Sequence, residues 1–463
     1  MSLAGPRPLG PMERTPFGRM ALDLRSEART RRAGAIPFPP GDTRPSARRT
    51  RRFATDPLHV LLDGYDRHGP VFTQRVFHGN VVFVLGPQAN HHVLVSGAAN
   101  FSWRKGHFSD LVPLLGDGLL TIDGDFHRRS RRIMLPAFHK ERIRASVTTM
   151  QEETDRAVAG LRAGTTIDLD HWTRELALRI AMRALFGLDP DAAARDLDAA
   201  REFEHALGFY ARDYTLQILR GPRTPWARMQ QARRRLDGLI LGEIQRRRRS
   251  GERGPDILSM LLDAQDEDGS RLSDQHVRDE VMTLLFAGHD TTTSTVSFLF
   301  HELSRTPQAR ERLRAKLDDG DGELERVLDE TLRLYPPAWI GPRRSIEPFE
   351  LCGHRIPGDV PVNYCSWASH RLPDVWDEPD AFRPDRFLPG GEVSRLPKGA
   401  YVPFGGGSRT CIGMRFGQAE IAIIVRELVR RFDLDLPPGF RLRIRQMPTI
   451  SPADGMPMTL RAV

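Results

Sequence analysis

Residues 404–413 read FGGGSRTCIG, and no other stretch limits the fold as tightly. Four glycines surround one cysteine, Cys411, and a helical pattern follows at once in GQAEIAIIVRELVRRF (417–432). Any fold must turn the chain here, start a helix, and present a thiol at the junction. The chain has only three cysteines, Cys352, Cys365 and Cys411, with no CxxC spacing. That pattern excludes a disulfide scaffold and a cysteine-rich zinc site, and a reducing, cytoplasmic setting is expected.

Three roles are open to Cys411. A nucleophile would call for a histidine partner, and no signature for one surrounds it. A buried structural thiol is the ordinary state of a lone cysteine, but it leaves the glycines unexplained. A metal thiolate accounts for more. Glycine reaches backbone conformations closed to other residues and lets the chain approach a flat cofactor. A helix starting just beyond the cysteine brings free N–H groups and a positive dipole end to the sulfur, which favours the thiolate. One thiolate from one chain suits haem, for which cysteine is a known axial ligand.

The 463 residues are 40% hydrophobic and 28% charged, an ordinary globular balance. No apolar run is long enough for a membrane span, and no secretory signal is visible. The net charge is +8, and all but four of the 68 basic residues are arginine. A basic surface suits an acidic protein partner. Without a motif behind it, charge alone does not indicate nucleic acid.

Residues 1–55, with ARTRRAG and RPSARRTRR, are expected to be a mobile basic leader. Glu13, Asp23, Glu27 and Asp42 argue against a mitochondrial presequence there. Residues 56–463 then read as one domain, mostly α with a minor β region. VFTQRVF (71–77) and NVVFVLG (80–86) form an expected hairpin. Helices are expected over PQARERLRAKL (307–317) and over ELERVLDETLRLY (323–335), which stops before Pro336 and Pro337. The run Arg246–Arg249 reads as a solvated helix end.

PFGGGSRTCIG (403–413) resembles the haem-binding loop of the cytochrome P-450 superfamily, pattern FxxGxRxCxG. The likeness extends over 56–463. ETLR (330–333) resembles the family's ExxR, and FRPDRF (382–387) supplies Arg386. The resemblance implies a buried triad of Glu330, Arg333 and Arg386 that locks the cysteine loop. LLFAGHDTTTST (284–295) resembles the long central helix over the distal haem face. There Ala287 and Gly288 would leave room for dioxygen, while Asp290 and Thr291 would form an acid–alcohol pair delivering protons. His289 is expected to be structural. DGDFHRRSRR (123–132) implies propionate contacts from His127 and Arg131, joined by Arg343 and Arg409, with Arg344 a possible substitute for Arg343. Phe404 and Gly413 belong to the cofactor loop by the same likeness.

What the resemblance implies is a haem-thiolate monooxygenase with haem b between the central helix and the cysteine-loop helix. It would insert one oxygen atom of O2 into a lipophilic small molecule by hydroxylation or epoxidation. Electrons would come from a separate ferredoxin or flavodoxin with its reductase, docking near Arg409, Arg415 and the C-terminal helix arginines. A peroxide-driven haem-thiolate enzyme and a non-catalytic haem-binding protein are the alternatives. The implied pocket holds Phe108, Leu111, Leu115, Ala287, Trp339 and Ile340, with walls from 106–119, 205–220, 283–291, 338–342 and a tail near 453–457.

Overall fold

The computed structural model describes the chain except residues 1–5, 7, 8, 11, 14, 33, 107–109, 189–198, 211, 213 and 321. The longer helices are α1 (Pro16–Thr30), α2 (Ala47–Thr55), α3 (Pro57–His68), α4 (Gly124–Met134), α5 (Lys140–Ala159) and α6 (Leu169–Ile180). They continue as α7 (Ala199–Leu207), α8 (Pro225–Ser250), α9 (Asp274–Arg305), α10 (Pro307–Ala315), α11 (Glu323–Leu334) and α12 (Met414–Arg431). Helix therefore dominates, with sheet in the minority. No helix among the described residues is long and apolar enough to cross a membrane.

Helix α9 runs through the middle and is buried on almost every side. An all-round buried helix must satisfy its polar side chains internally. The hydroxyls of Thr291, Thr293 and Thr295 do so by donating to the carbonyls four residues back. Ser294 reaches the Ile450 carbonyl and Thr292 the Glu420 carboxyl.

The expected hairpin is present as Val71–Val76 against Gly79–Val84, with Phe72 opposite Phe83. It lies inside a six-stranded sheet in the spatial order Gly41–Asp42, Val71–Val76, Gly79–Val84, Pro361–Cys365, Ile340–Ser345, Phe101–Ser102. The strand Ile340–Ser345 carries Arg343 and Arg344 and pairs antiparallel with Pro361–Cys365. At Gly341 an added Cβ would lie 1.9 Å from the Tyr364 ring, so the strand can lie this close only with glycine there.

Two sequence expectations need correction. The stretch read as a mobile leader holds α1 and α2, and its acids attach it: Asp23 pairs with Arg344, Glu27 with Arg75, and Asp42 with Arg49 and Arg67. The run Arg246–Arg249 does end α8, capped by left-handed Gly251. Yet Arg247 turns inward, donating to Asp256 and to the Phe186 carbonyl at 2.7 Å each. Charge density alone does not reveal that a carboxylate waits inside.

Candidate active site

The cysteine loop is shaped by backbone conformation first. Gly405 and Gly407 sit at φ 70° and 61°, in the left-handed region. At Gly407 a Cβ would also fall 2.3 Å from the Leu94 carbonyl oxygen, so this glycine is needed on two counts. The Cys411 N–H donates to the Phe404 carbonyl at 3.0 Å, closing the loop, and α12 starts three residues on. The thiol faces a cavity of about 1380 Å³.

Beneath the loop lies the Glu–Arg–Arg cluster. Arg333 Nε and Nη2 donate to Glu330 Oε2 and Oε1 at 2.7 and 2.9 Å. Arg386 Nε donates to Oε1 at 3.2 Å. All three side chains are fully buried. Arg333 also donates to the carbonyls of His370, Pro379 and Ala381, and Arg386 to that of Glu378. Sequence reading missed His370, which joins this cluster to the loop. Its Nε2 accepts the Val402 N–H at 2.9 Å, so Nδ1 carries the proton and donates to the Arg333 carbonyl at 3.2 Å. Burial, then the Arg333 charge, push His370 down to about 3, so the ring stays neutral.

One edge of the cavity is cationic. His127, Arg131, Arg343 and Arg409 all line it. Arg343 is buried and stacks on Trp103 at 3.6 Å, and burial draws it down to about 10. Arg344 also lines the cavity, where it pairs with Asp23 and Asp359. Arg409 donates to the Ile122 carbonyl and to Asp123, and burial lowers it to about 10. Burial, with Arg409, Arg131 and Arg128 nearby, takes His127 to about 3. Arg131 donates to the Thr410 carbonyl at 2.6 Å. A buried set of like charges is costly unless anions join it.

The opposite wall is α9. Ala287, Gly288 and Thr291 line the cavity, and a Cβ added at Gly288 would meet nothing within 4 Å. Asp290 does not line it. Its carboxylate turns to Arg174, at 2.7 Å, and to the Thr449 hydroxyl. Burial alone would raise this carboxyl, but Arg174, His289 and Thr449 outweigh it and hold it below the usual range. Helical spacing puts residues 290 and 291 about 100° apart, so the two expected partners need not face one way. Arg174, its second partner Asp170, and Thr449 were not foreseen, because they come from distant segments. His289 packs edge-on to Phe203 and is structural, as expected.

Of the expected pocket residues, Leu111, Ala287, Trp339 and Ile340 line the cavity. Leu115 does not; it is fully buried in the helical core. Phe108 lies outside the described residues. The tail contributes 445–449 rather than 453–457, Phe286 comes from the expected wall 283–291, and Phe138 and Leu185 were missed. Apolar residues in a sequence do not say whether they face a core or a chamber.

One further expectation changes sign. Burial pushes the Cys411 thiol up, ahead of the Gly413 N–H and Arg131, which pull it down. A cation at the sulfur would favour the thiolate. Among the described residues no cluster of three or more His, Cys, Asp or Glu could hold a metal ion, which leaves Cys411 as a lone ligand. A single thiol, a cationic edge for two carboxylates, and small residues on the facing helix together fit an iron porphyrin.

Comparison with known proteins agrees with this geometry. Residues 50–451 match the family model for cytochrome P450. Cyclooctatin synthase of Streptomyces melanosporofaciens is 36% identical over 417 residues, covering 85% of this chain and 88% of that protein. Cyclooctat-9-en-7-ol 5-monooxygenase of the same organism is 33% identical, covering 83% and 87%. A retinoic acid-bound cyanobacterial CYP120A1 superposes with a TM-score of 0.82 at 27% identity, covering 93% of this chain and all of that one.

Proposed function

Because this chain belongs to the cytochrome P450 family, and so is a haem-binding monooxygenase, we propose that it oxygenates a lipophilic small molecule with electrons from a separate ferredoxin or flavodoxin. The observation that carries the reading is that Cys411, from the loop before α12, and Thr291, from α9, face one large cavity that the cationic residues also line. A single drug-sized site takes about 300–1,000 Å³. The cavity's 1380 Å³ exceeds that, which supports cofactor and substrate side by side.

Haem, when bound, supplies reductive activation of O2. This chain's residues do the rest. Cys411 would supply the thiolate to the haem iron, its N–H held by the Phe404 carbonyl and its sulfur met by the Gly413 N–H, with His370 tying its loop to the Glu330 cluster. Arg343, Arg409, Arg131 and His127 hold the propionates. Ala287 and Gly288 leave space above the cofactor. Thr291 donates at rest to the Ala287 carbonyl at 2.7 Å. Turning that hydroxyl into the cavity makes it the last donor in a proton path. Asp290, ionised while it holds Arg174, would take up a proton from solvent on leaving that arginine and pass it to Thr291. Leu111, Phe138, Leu185, Phe286, Trp339 and Ile340 exclude water and favour an apolar substrate. The names of the relatives, one acting on cyclooctat-9-en-7-ol and one bound to retinoic acid, support that class.

Residues 56–463 form the monooxygenase domain, with 1–55 as an attached segment and a cytoplasmic setting. The partner-docking face uses Arg415, which is exposed, but not Arg409, which points inward. The test is a spin-state titration of the haem-loaded protein with a panel of lipophilic acids and polycyclic alcohols. A high-spin shift with apolar compounds, absent with sugars or amino acids of similar size, supports the reading. A shift only with hydrophilic compounds contradicts it.

A further inference from the structure

Helix α1 (Pro16–Thr30) lies before the residues that match the family model. It nevertheless forms part of the cavity's outer wall, through Arg19, Leu22 and Asp23. Its attachment is unusual. Helices normally dock by an apolar stripe. On α1 the buried residues are Ser26 and Glu27, while Phe17 and Leu24 are exposed.

Polar contacts hold it instead. Glu27 accepts from Arg75 at 2.9 and 3.1 Å. Asp23 pairs with Arg344 at 2.6 Å and with His78 at 3.2 Å. The Ser26 hydroxyl and the Arg29 guanidinium reach Asp359, which Arg344 also contacts. These bonds fasten the C-terminal half of α1 to the sheet. The N-terminal half has a distant tie from Arg19 to Asp110, with both side chains only partly exposed. Asp110 adjoins the wall residue Leu111, and its carbonyl accepts from the Tyr210 hydroxyl at 3.1 Å. Tyr210 lines the cavity too. Three chain segments distant in sequence thus meet at one residue, Asp110, through its carboxylate and its carbonyl.

We infer that α1 is a strap across the substrate entrance, anchored at its C-terminal half and latched by the Arg19–Asp110 ion pair. Bulky ligands pass when the latch opens and α1 swings on its Asp23, Ser26 and Glu27 anchor. An ion-pair latch opens cheaply because water solvates both charges once they part. This rests on the monooxygenase reading of the cavity, since a strap needs a site to guard.

The experiment follows azole binding to the haem-loaded protein by stopped-flow spectroscopy, with clotrimazole as the bulky probe and imidazole as the small one. Arg19→Glu and Asp110→Arg each speed clotrimazole association by roughly fivefold or more, the rate equivalent of losing a partly buried pair. Imidazole association stays within about twofold, a change too small to register a latch. The double exchange, Arg19→Glu with Asp110→Arg, restores slow clotrimazole binding. Equal clotrimazole rates in all four proteins overturn the strap. Should a reversed charge prevent haem loading, Arg19→Gln and Asp110→Asn are read the same way. A wild-type protein with no azole spectrum would count against the haem reading instead. The latch is then judged by tryptic cleavage within α1, which Asp110→Asn accelerates; unchanged cleavage overturns it.

Discussion

On the Cys411 side of the cavity, Glu330, Arg333 and Arg386 are fully buried and bonded to one another and to the carbonyls of the segments around them. On the α9 side, many of the walls are apolar residues from distant stretches of chain, and the Asp290 carboxylate faces away from the space it is expected to serve. The difference reflects what each side must do. A ligand atom has one correct position, and charged hydrogen bonds fix positions by direction and distance. A chamber for an apolar guest needs volume and dryness, which many residue combinations provide.

The contrast is broken most severely at Glu330. Glu330→Gln leaves Arg333 and Arg386 buried against a neutral partner. The expected cost is about 3–5 kcal/mol. Protein carrying this change should be recovered with little or no bound haem, measured as the ratio of Soret to protein absorbance. A variant that loads haem as wild type does would show that the cluster is not what holds the loop.

On the distal side, Thr291→Ala should leave haem loading intact and divert most reducing equivalents to peroxide, read by comparing peroxide with product formed. Tight coupling in this variant would remove Thr291 from the proton path. Raising ionic strength should lower turnover severalfold with an acidic redox partner, because long-range steering is screened. Turnover independent of salt would place the partner elsewhere than the Arg415 face.

The smallest effect concerns two buried acids. Burial raises Glu280 and Glu420 to about 8 each, and the hydrogen bonds from the Leu119 N–H and the Thr292 hydroxyl do not cancel it. The folded protein therefore holds protons that the unfolded chain releases near the ordinary carboxyl value. Stability should be fullest below that value and fall as pH rises toward 8. Glu280→Gln should flatten the fall in melting temperature over that window, and an unchanged slope would mean Glu280 is charged in the fold.

Legibility from sequence followed the same divide. Cys411, Arg409 and the Glu330 cluster stood in fixed short patterns, because a ligand loop and its clamp are local geometry. The hairpin and the helices over 307–317 and 323–335 were marked by turn residues and apolar spacing. The chamber was not legible. Leu111 and Leu115 sit four residues apart with the same chemistry, yet one lines the cavity and the other the core. Arg174 reaches Asp290 across 116 residues, and no pattern within either segment announces it. The attachment of α1 was missed because its arginine-rich composition resembles that of a free leader, and its few acids find their partners only in the folded chain.

The account turns on Cys411 as the haem ligand, and the most direct measurement is the carbon monoxide difference spectrum of the reduced protein. A strongly red-shifted Soret band, lost in Cys411→Ser, is the predicted result. A band at the position of histidine-ligated haem in the wild-type protein, or one that survives Cys411→Ser, would contradict it.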